Sequence, residues 1–452
     1  MGTPDDIRNS FFIQWLLIEL IKLFENRVRK HPASLIRKLV HSLTTYGWML
    51  PILIDEHNRV IAGEARLLAA IELGWTQVPV IRIEHLSKAQ VRAFRLADNK
   101  LAEEADWDNE GLRSELIELG TLRISIEDTA FEAAEADFII GTATSTADDE
   151  IVEAPVRDKP AVSRPRDLFE IGESLVLCGD ACDPDSYEVL LERDNAVDLA
   201  LTDPPFNVPI GGHVSTTGRH EEFVQASGEM SVEEYRKFLA TFLVLIAHCL
   251  RPGGAAFVFQ DWRSIAALVS ETERAGLDMI NLCVWAKTNA GMGSLYRSRH
   301  ELVVVARKPG GKPVNNVQLG KYGRSRTNVW EFPGANSMGS EARKLLSEHP
   351  TPKPVAMLSE AILDVTKRGD VVLDPFGGSG STLIAAHRTG RVARVMELDP
   401  HYVDLIVRRA EAALGLTARC VRTGRTFAQL ATIRANVRQR SRGTPNGQGG
   451  GA

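Results

Sequence analysis

Cysteine is scarce and unpaired in this sequence. Five occur, at 178, 182, 249, 283 and 420, with no C-x-x-C pair and no cluster of histidine or cysteine beside them. That excludes a disulfide framework and a zinc site, and it fits a reducing, cytoplasmic setting. Surplus positive charge is also lacking. Lys and Arg number 53 against 59 Asp and Glu, a formal net charge of -6. The chain is therefore no globally basic nucleic-acid binder, although a local basic face is compatible with that balance. Long apolar runs are missing too. The strongest, residues 11–24, would span about 21 Å as a helix, short of a bilayer core of ~30 Å. Gln14, Glu19 and Lys22 interrupt it, and Asp5 and Asp6 precede it where a signal peptide carries positive charge. We read it as an element that is buried or that pairs two copies into a homodimer, rather than a membrane segment.

What is present is a soluble composition on a chain of 452 residues, too long for one ordinary core. Its character changes along its length. Residues 1–25 are the apolar segment, and residues 26–140 read as a small mixed α+β unit. Residues 141–165 form an acidic, Pro-containing linker. Residues 166–420 read as a larger α/β unit, and residues 421–452 as an Arg-rich tail with a disordered tip.

In the first unit, Leu35, Leu39 and Leu43 predict a helix that Gly47 ends. Two short strands, 51–55 and 59–62, lead to Gly63-Glu64-Ala65-Arg66, where a strand turns into a helix. Free backbone N–H groups at such a turn, with Arg66, suit a phosphate, although an ordinary turn glycine and helix arginine would look the same. Residues 78–83 form another strand, which Pro79 places at an edge.

The second unit alternates strands and helices, which predicts a parallel sheet with helices on both faces and one antiparallel member. Residues 174–180 end in Gly179-Asp180. The apolar strand 197–202 ends in Asp203-Pro204-Pro205-Phe206. An acidic residue, two prolines and an aromatic make a rigid cup that accepts hydrogen bonds from an amino group and stacks on a flat ring. Carboxyl ends of parallel strands are where open α/β sheets bind ligands. The loop 211–228 is longer than a plain connection and suits a flap.

Between the strands 278–285 and 302–306, and on to residue 330, basic residues are interleaved with Asn, Gly and aromatics. Lys287, Asn289, Tyr296, Arg297, Arg299, Arg324 and Arg326 are the candidates for contacting DNA. Further on, the strand 371–373 enters Asp374-Pro375-Phe376-Gly377-Gly378-Ser379-Gly380-Ser381-Thr382. This is no phosphate loop, because the lysine is missing, and the spacing is not G-x-G-x-x-G. The next strand ends in Glu397-Leu398-Asp399, about 20 residues past the turn, where an acidic side chain suits ribose hydroxyls.

Taken together, Asp203 to Phe206, 349–354, Asp374 to Thr382 and Glu397 to Asp399 resemble the S-adenosylmethionine-dependent DNA amino-methyltransferases. The catalytic motif precedes the Gly-rich motif, with the recognition segment (about 286–345) between them, which is the family's beta arrangement. The resemblance implies a Rossmann-like class I methyltransferase sheet with helices on both faces, and S-adenosylmethionine as cofactor. It implies double-stranded DNA as partner and an adenine-N6 target, since N4-cytosine enzymes more often begin the motif with Ser. It also assigns roles. Asp203, Pro204, Pro205 and Phe206 are catalytic. Asp180, Thr351, Lys353, Asp374, Phe376, Gly377, Gly380, Glu397 and Asp399 line the cofactor, with Thr351 and Lys353 on its carboxylate side. Phe206 stands where most members have Tyr. Residues 61–70, 73–74, 78–80, 95–100 and 107–108 resemble the ParB-type partition domain, whose Gly-x-x-Arg turn binds nucleotide or DNA phosphates; Arg66 is the matching residue. Glu64 and Ala65 stand where close look-alikes have His and Gly, and Glu64 brings a negative charge to the presumed phosphate site. Two readings stay open beside the leading one: N4-cytosine methylation by the same machinery, and a DNA-binding regulatory protein with an inactive methylase half.

Overall fold

The computed structural model describes residues 12–25, 29–122, 124–141, 160–194, 196–207, 228–288, 295–317, 326–334 and 352–442. The chain divides into two compact units, Met1–Ile140 and Gly141–Ala452.

The first unit contains a four-stranded sheet. Its strands are β1 (Ile13–Leu17), β2 (Ile52–Asp55), β3 (Val60–Ala62) and β4 (Gln77–Ile83), in the order β1-β4-β2-β3. Ile52, Ile54, Val60, Leu67, Val78 and Val80 form its core. The helix Ala33–Tyr46 stops where Gly47 turns left-handed (φ 71°). Two expectations change here. The described part of the apolar N-terminal run is a strand followed by a short 3-10 turn, and it is only half-buried, with Leu16, Ile18, Ile21 and Leu23 packed against the core. Gln14 and Leu16 are half-buried, while Ile13 and Trp15 are 60% and 61% exposed. Pro79 lies in an interior strand because β1 adds outside it, pairing Trp15 with Pro79. The helices Lys88–Leu101 and Asn109–Thr121 start at the side-chain caps Ser87 and Asp108. The helix Ala133–Gly141 follows where the sequence had suggested only a taper. Most of the linker lies outside the described residues.

The second unit is built on a ten-stranded sheet. Its members are β5 (Leu168–Ile171), β6 (Ser174–Cys178), β7 (Val197–Thr202), β8 (Leu250–Gln260), β9 (Asp278–Ala286), β10 (His300–Arg307), β11 (Val329–Glu331), β12 (Val371–Asp374), β13 (Val392–Glu397) and β14 (Arg419–Cys420). The order is β11-β9-β10-β8-β7-β12-β13-β6-β5-β14. The run from β8 through β7, β12 and β13 to β6 is parallel. β10 is antiparallel to both β8 and β9, so β9 and β10 form the expected hairpin. Antiparallel pairing is wider than expected, because β5 also runs against β6, and β14 against β5, at the other end of the sheet. Two apolar cores cover the two faces of the sheet, as a sheet buried on both sides requires. One holds the helix Val355–Val365, and the other holds the helix Val232–Cys249.

The Arg-rich tail is largely structural where it is described. The helix Phe427–Arg442 plants Phe427 and Leu430 in the core, with the Phe427 ring 5.7 Å from that of Phe169. Arg434 is buried and donates to both oxygens of fully buried Asp167 and to the Val162 carbonyl. Asp404 accepts from the Val162 and Ser163 amides and the Ser163 hydroxyl. Both thus fasten the segment that enters β5. Among the described residues no helix is long and apolar enough to cross a membrane.

Candidate active site

Strand pairing joins the two motifs. β7 and β12 are parallel neighbours, with Val372 opposite Leu199 and Leu373 opposite Ala200. The Thr202 hydroxyl donates to Asp374 Oδ1 at 2.7 Å across 172 positions of sequence. Both strands end at the same sheet edge, so Asp203 and the Gly-rich turn emerge side by side.

Asp203 is the electrostatic centre. Its Oδ2 accepts from Lys353 Nζ at 2.6 Å. Its Oδ1 is buried and has no partner. Burial raises its pKa, and the Lys353 ammonium opposes that rise. Lys353 also lies 3.0 Å from Glu301 Oε2, and Lys287 donates to Glu301 Oε1 at 2.5 Å. Burial pushes the Glu301 carboxyl up, but the two ammoniums outweigh it and hold it at about 2. Burial pulls Lys353 down, while Asp203 and Glu301 raise it above the ordinary lysine value. The rings of Phe259, Phe206 and Trp285 surround the Lys353 ammonium at 5.1, 5.6 and 5.7 Å.

The Asp203-Pro-Pro-Phe backbone is held from behind. Tyr235 donates its hydroxyl to the Pro205 carbonyl at 3.0 Å and accepts from fully buried Gln260 at 3.0 Å. Asn207, the next residue, adopts a left-handed backbone (φ 54°), a costly conformation for a residue with a Cβ. Its amide donates to the Met230 carbonyl and accepts from the Gly228 and Met230 amides. These bonds join Asn207 to Gly228 and Met230; of the expected flap, 211–228, all but Gly228 lies outside the described residues.

The Gly-rich turn is shaped by close approach. A Cβ on Gly377 would stand 2.4 Å from a Val395 methyl, and Gly380 (φ 82°) opens the helix Ser381–Arg388 in the left-handed region. Glu397, at the end of β13, accepts from the Gly378 amide at 2.9 Å and the Asp399 amide at 3.0 Å. Burial pushes both Glu397 and Asp374 up to about 7. Asp180 ends up nearby, because the Gly179 amide donates to the Glu397 carbonyl at 3.0 Å and so ties the end of β6 to the end of β13. The Asp180 carboxylate itself accepts from the Cys182 amide at 2.8 Å, as a turn residue does.

The remaining expected residues divide clearly. Tyr296, Arg297 and Arg299 are exposed on the recognition segment, Tyr296 to 85%. Lys287 and Arg326, expected to contact DNA, are engaged within the domain: Lys287 is paired with Glu301, and Arg326 is paired with Glu360 and, at 3.0 Å, with Asp364. Lys353, expected beside the cofactor's carboxylate, is engaged by Asp203 and Glu301 instead. Phe376 packs its ring against Phe242 and Phe238 at 5.1 and 5.8 Å. Asp399 caps the helix Pro400–Leu414 through the His401 amide. Thr351, Asn289 and Arg324 lie outside the described residues. Glu301, Tyr235 and Gln260 were missed. Glu301 had one signal, an acid opening an otherwise apolar strand; Tyr235 and Gln260 had none.

In the first unit, Arg66 lines a cleft of about 520 Å³ with Arg29, Lys30, His31, Glu64 and Arg95. Arg66 donates to the Leu50 carbonyl at 2.6 Å, and His31 Nδ1 is buried without a partner.

Comparison with known proteins agrees with this division. Residues 197–408 match the DNA methylase family model, and residues 12–100 match the ParB N-terminal domain. The Type II methyltransferase M2.DpnII of Streptococcus pneumoniae is 28% identical over 239 residues, covering 50% of this chain and 88% of that protein. The putative DNA modification methylase TTHA0409 of Thermus thermophilus, solved with S-adenosyl-L-methionine, is 24% identical. It covers 56% of this chain and 95% of that one, with a TM-score of 0.39. The chromosome-partitioning protein ParB of Caulobacter crescentus, solved with CTP-gamma-S, is 17% identical and covers 30% of this chain and 82% of that one, with a TM-score of 0.26. The chain thus joins a ParB N-terminal domain to a DNA methylase domain of the N6/N4 family.

Proposed function

We propose that this methylase transfers a methyl group from S-adenosylmethionine to the N6 amino group of an adenine in double-stranded DNA. The observation that carries the reading is the buried, partnerless Oδ1 of Asp203, a carboxylate oxygen beside an aromatic ring at the end of a parallel strand. An exocyclic amino group is a poor nucleophile because its lone pair is delocalised into the ring. Within a duplex it is also out of reach, so the base must be extruded, at a cost of a few kcal/mol. Phe206 stacks on the extruded base. Asp203 Oδ1 and the Pro204 carbonyl accept the two amino hydrogens, which localises the lone pair on nitrogen for in-line attack. Positioning and electrostatics carry the catalysis, and no covalent enzyme intermediate is needed.

The residues around the Gly-rich turn fit the cofactor. Gly377 brings the backbone close to β13, and Glu397 presents a carboxylate for ribose hydroxyls at the distance along the chain that such turns use. Bound there, S-adenosylmethionine supplies an electrophilic sulfonium methyl. Asp374 supports the turn from beneath, through Thr202 and the Phe376 amide. Tyr296, Arg297 and Arg299 form the exposed side of the recognition segment, suited to phosphates and bases. The cleft around Arg66 holds a phosphate of nucleotide or DNA.

The test has two parts. Sequencing DNA from a host expressing the protein should report methylated adenines in a fixed motif; methylated cytosines would give N4 instead. Asp203→Ala should keep S-adenosylmethionine binding and lose methyl transfer by at least about 10²–10³-fold, the loss typical of a central transition-state contact. Full activity in that variant would sink the assignment.

A further inference from the structure

Three ionic links run in series through the catalytic domain. Lys353 Nζ stands 2.6 Å from Asp203 Oδ2 and 3.0 Å from Glu301 Oε2, and Lys287 Nζ stands 2.5 Å from Glu301 Oε1. Their chain positions give the series its meaning. Asp203 follows β7, and Lys353 precedes the helix Val355–Val365. Lys287 and Glu301 are the two sides of the neck of the β9–β10 hairpin, closed by the Lys287 amide donating to the Arg299 carbonyl at 2.8 Å. Exposed Tyr296, Arg297 and Arg299 lie just before the β10 side of that neck.

Lys353 and Glu301 are 10% and 13% exposed, and Asp203, a third exposed as a whole side chain, keeps its Oδ1 buried. A lone carboxylate in such a place takes up a proton rather than remain charged. A neutral Asp203 would be a weak acceptor, or would turn a donor toward the amino group it has to receive. Two ammoniums against two carboxylates remove that problem. A lysine suits the bridging position, since a compact charge with three rotatable donors reaches two carboxylates in different planes.

We propose that Lys353 is a positioning residue: seated between Asp203 and Glu301, it keeps Asp203 an oriented carboxylate with Oδ1 presented to the target amino group, and Glu301 with Lys287 ties that arrangement to the neck of the recognition hairpin. This rests on the methyl-transfer reading above.

The charged and titratable groups that face Asp203 are Lys353, Glu301, Lys287, Asp374 on β12 and Tyr235 on the helix Val232–Cys249. Removing Lys353 leaves Asp203 facing mainly like charge, so it holds its proton to higher pH. Removing the Glu301 charge acts in the opposite direction. The two substitutions therefore move the acid limb of the rate profile in opposite senses, which a merely structural role would not do.

The experiment uses the full-length protein, tritiated S-adenosylmethionine and unmethylated genomic DNA, with kcat followed against pH. Lys353→Met is expected to lower kcat at neutral pH by roughly 10²-fold and to move the acid limb to higher pH, so that activity partly returns in alkali. The Kd for S-adenosylmethionine and the KM for DNA should stay within about twofold, as for a group that acts only in the transition state. Lys353→Arg should restore part of the rate. Glu301→Gln should move the acid limb to lower pH. The inference is overturned if Lys353→Met keeps the wild-type kcat, or loses rate with the acid limb unmoved. It is equally overturned if the cofactor Kd rises in proportion to the lost rate, which would make Lys353 a cofactor ligand. Should Lys353→Met not fold, Glu301→Gln decides: an acid limb that stays put or rises overturns the proposal. A wild-type protein that transfers no methyl group to DNA overturns the functional reading itself, and is told apart from the other failures by that control.

Discussion

Around Asp203, charges are matched. Lys353 and Lys287 each lie within 3 Å of a carboxylate, and the arrangement leaves the buried Oδ1 of Asp203 without a partner. The cleft of the ParB unit is charged differently. Arg29, Lys30, His31, Arg66 and Arg95 gather against Glu64 and Asp98, a surplus of positive charge. Arg29 reaches Glu103 at 3.1 Å, but both are about half exposed, where such a pair contributes little. Around Asp203 two lysines balance two carboxylates. The surplus of positive charge in the ParB cleft suits an anion. The first arrangement suits chemistry, which needs fixed dipoles before the substrate arrives. The second suits binding that is switched by a ligand.

If matched, buried charges hold the methylase domain together, deleting one partner should have the largest effect. Arg434→Ala leaves the fully buried Asp167 with exposed Arg422 as its only cation partner among the described residues. We expect a loss of about 3–5 kcal/mol of stability, read as a lower denaturant midpoint for the methylase domain. A midpoint equal to wild type would break the comparison on its stronger side. A smaller effect is expected in the ParB cleft. Arg66→Ala should weaken binding of DNA or nucleoside triphosphate to that unit by roughly tenfold, the worth of one charge-assisted hydrogen bond. Filter binding or calorimetry would show it, and unchanged affinity would remove the phosphate role from this cleft. The smallest effect concerns Glu397. Burial raises it to about 7, so it takes up a proton as pH falls through that value and ceases to be a charged acceptor. S-adenosylmethionine affinity should therefore fall on acidification, no more steeply than about tenfold per pH unit, the limit for one proton. Titration calorimetry across neutral pH checks this, and Glu397→Gln should flatten the profile.

The architecture was largely legible from periodicity and turn residues. Strands 174–180, 197–202 and 278–285 and the returning strand of the hairpin stand close to where alternation and apolar runs put them. Errors fell where local pattern does not carry the information. Pro79 reads as an edge residue, yet β1 covers it from the far end of the unit. Residues 11–24 read as an apolar run of one kind, but the period of two at Ile13–Leu17 makes a strand that buries neither face fully. In the site, Asp203 and Glu397 were visible from motif and spacing, because each must sit at a strand end. The ion pairs of Lys287 and Arg326 were not legible, for one reason. A basic residue in a polar loop looks the same whether it faces solvent or a carboxylate from another element.

The sequence by itself determined the two motifs, their order, the α/β alternation between them and the presence of a separate N-terminal unit. Those follow from local chemistry: glycine where backbones approach, proline where the chain must be stiff, apolar residues at the period of their element. The tertiary structure decided which charges meet. Sheet order put β7 beside β12 and the hairpin neck beside Lys353, and so turned Glu301, a residue with a faint signal, into a partner of Lys353 and Lys287. Contacts between residues distant in the chain depend on how the strands are ordered, and no local spacing records that order.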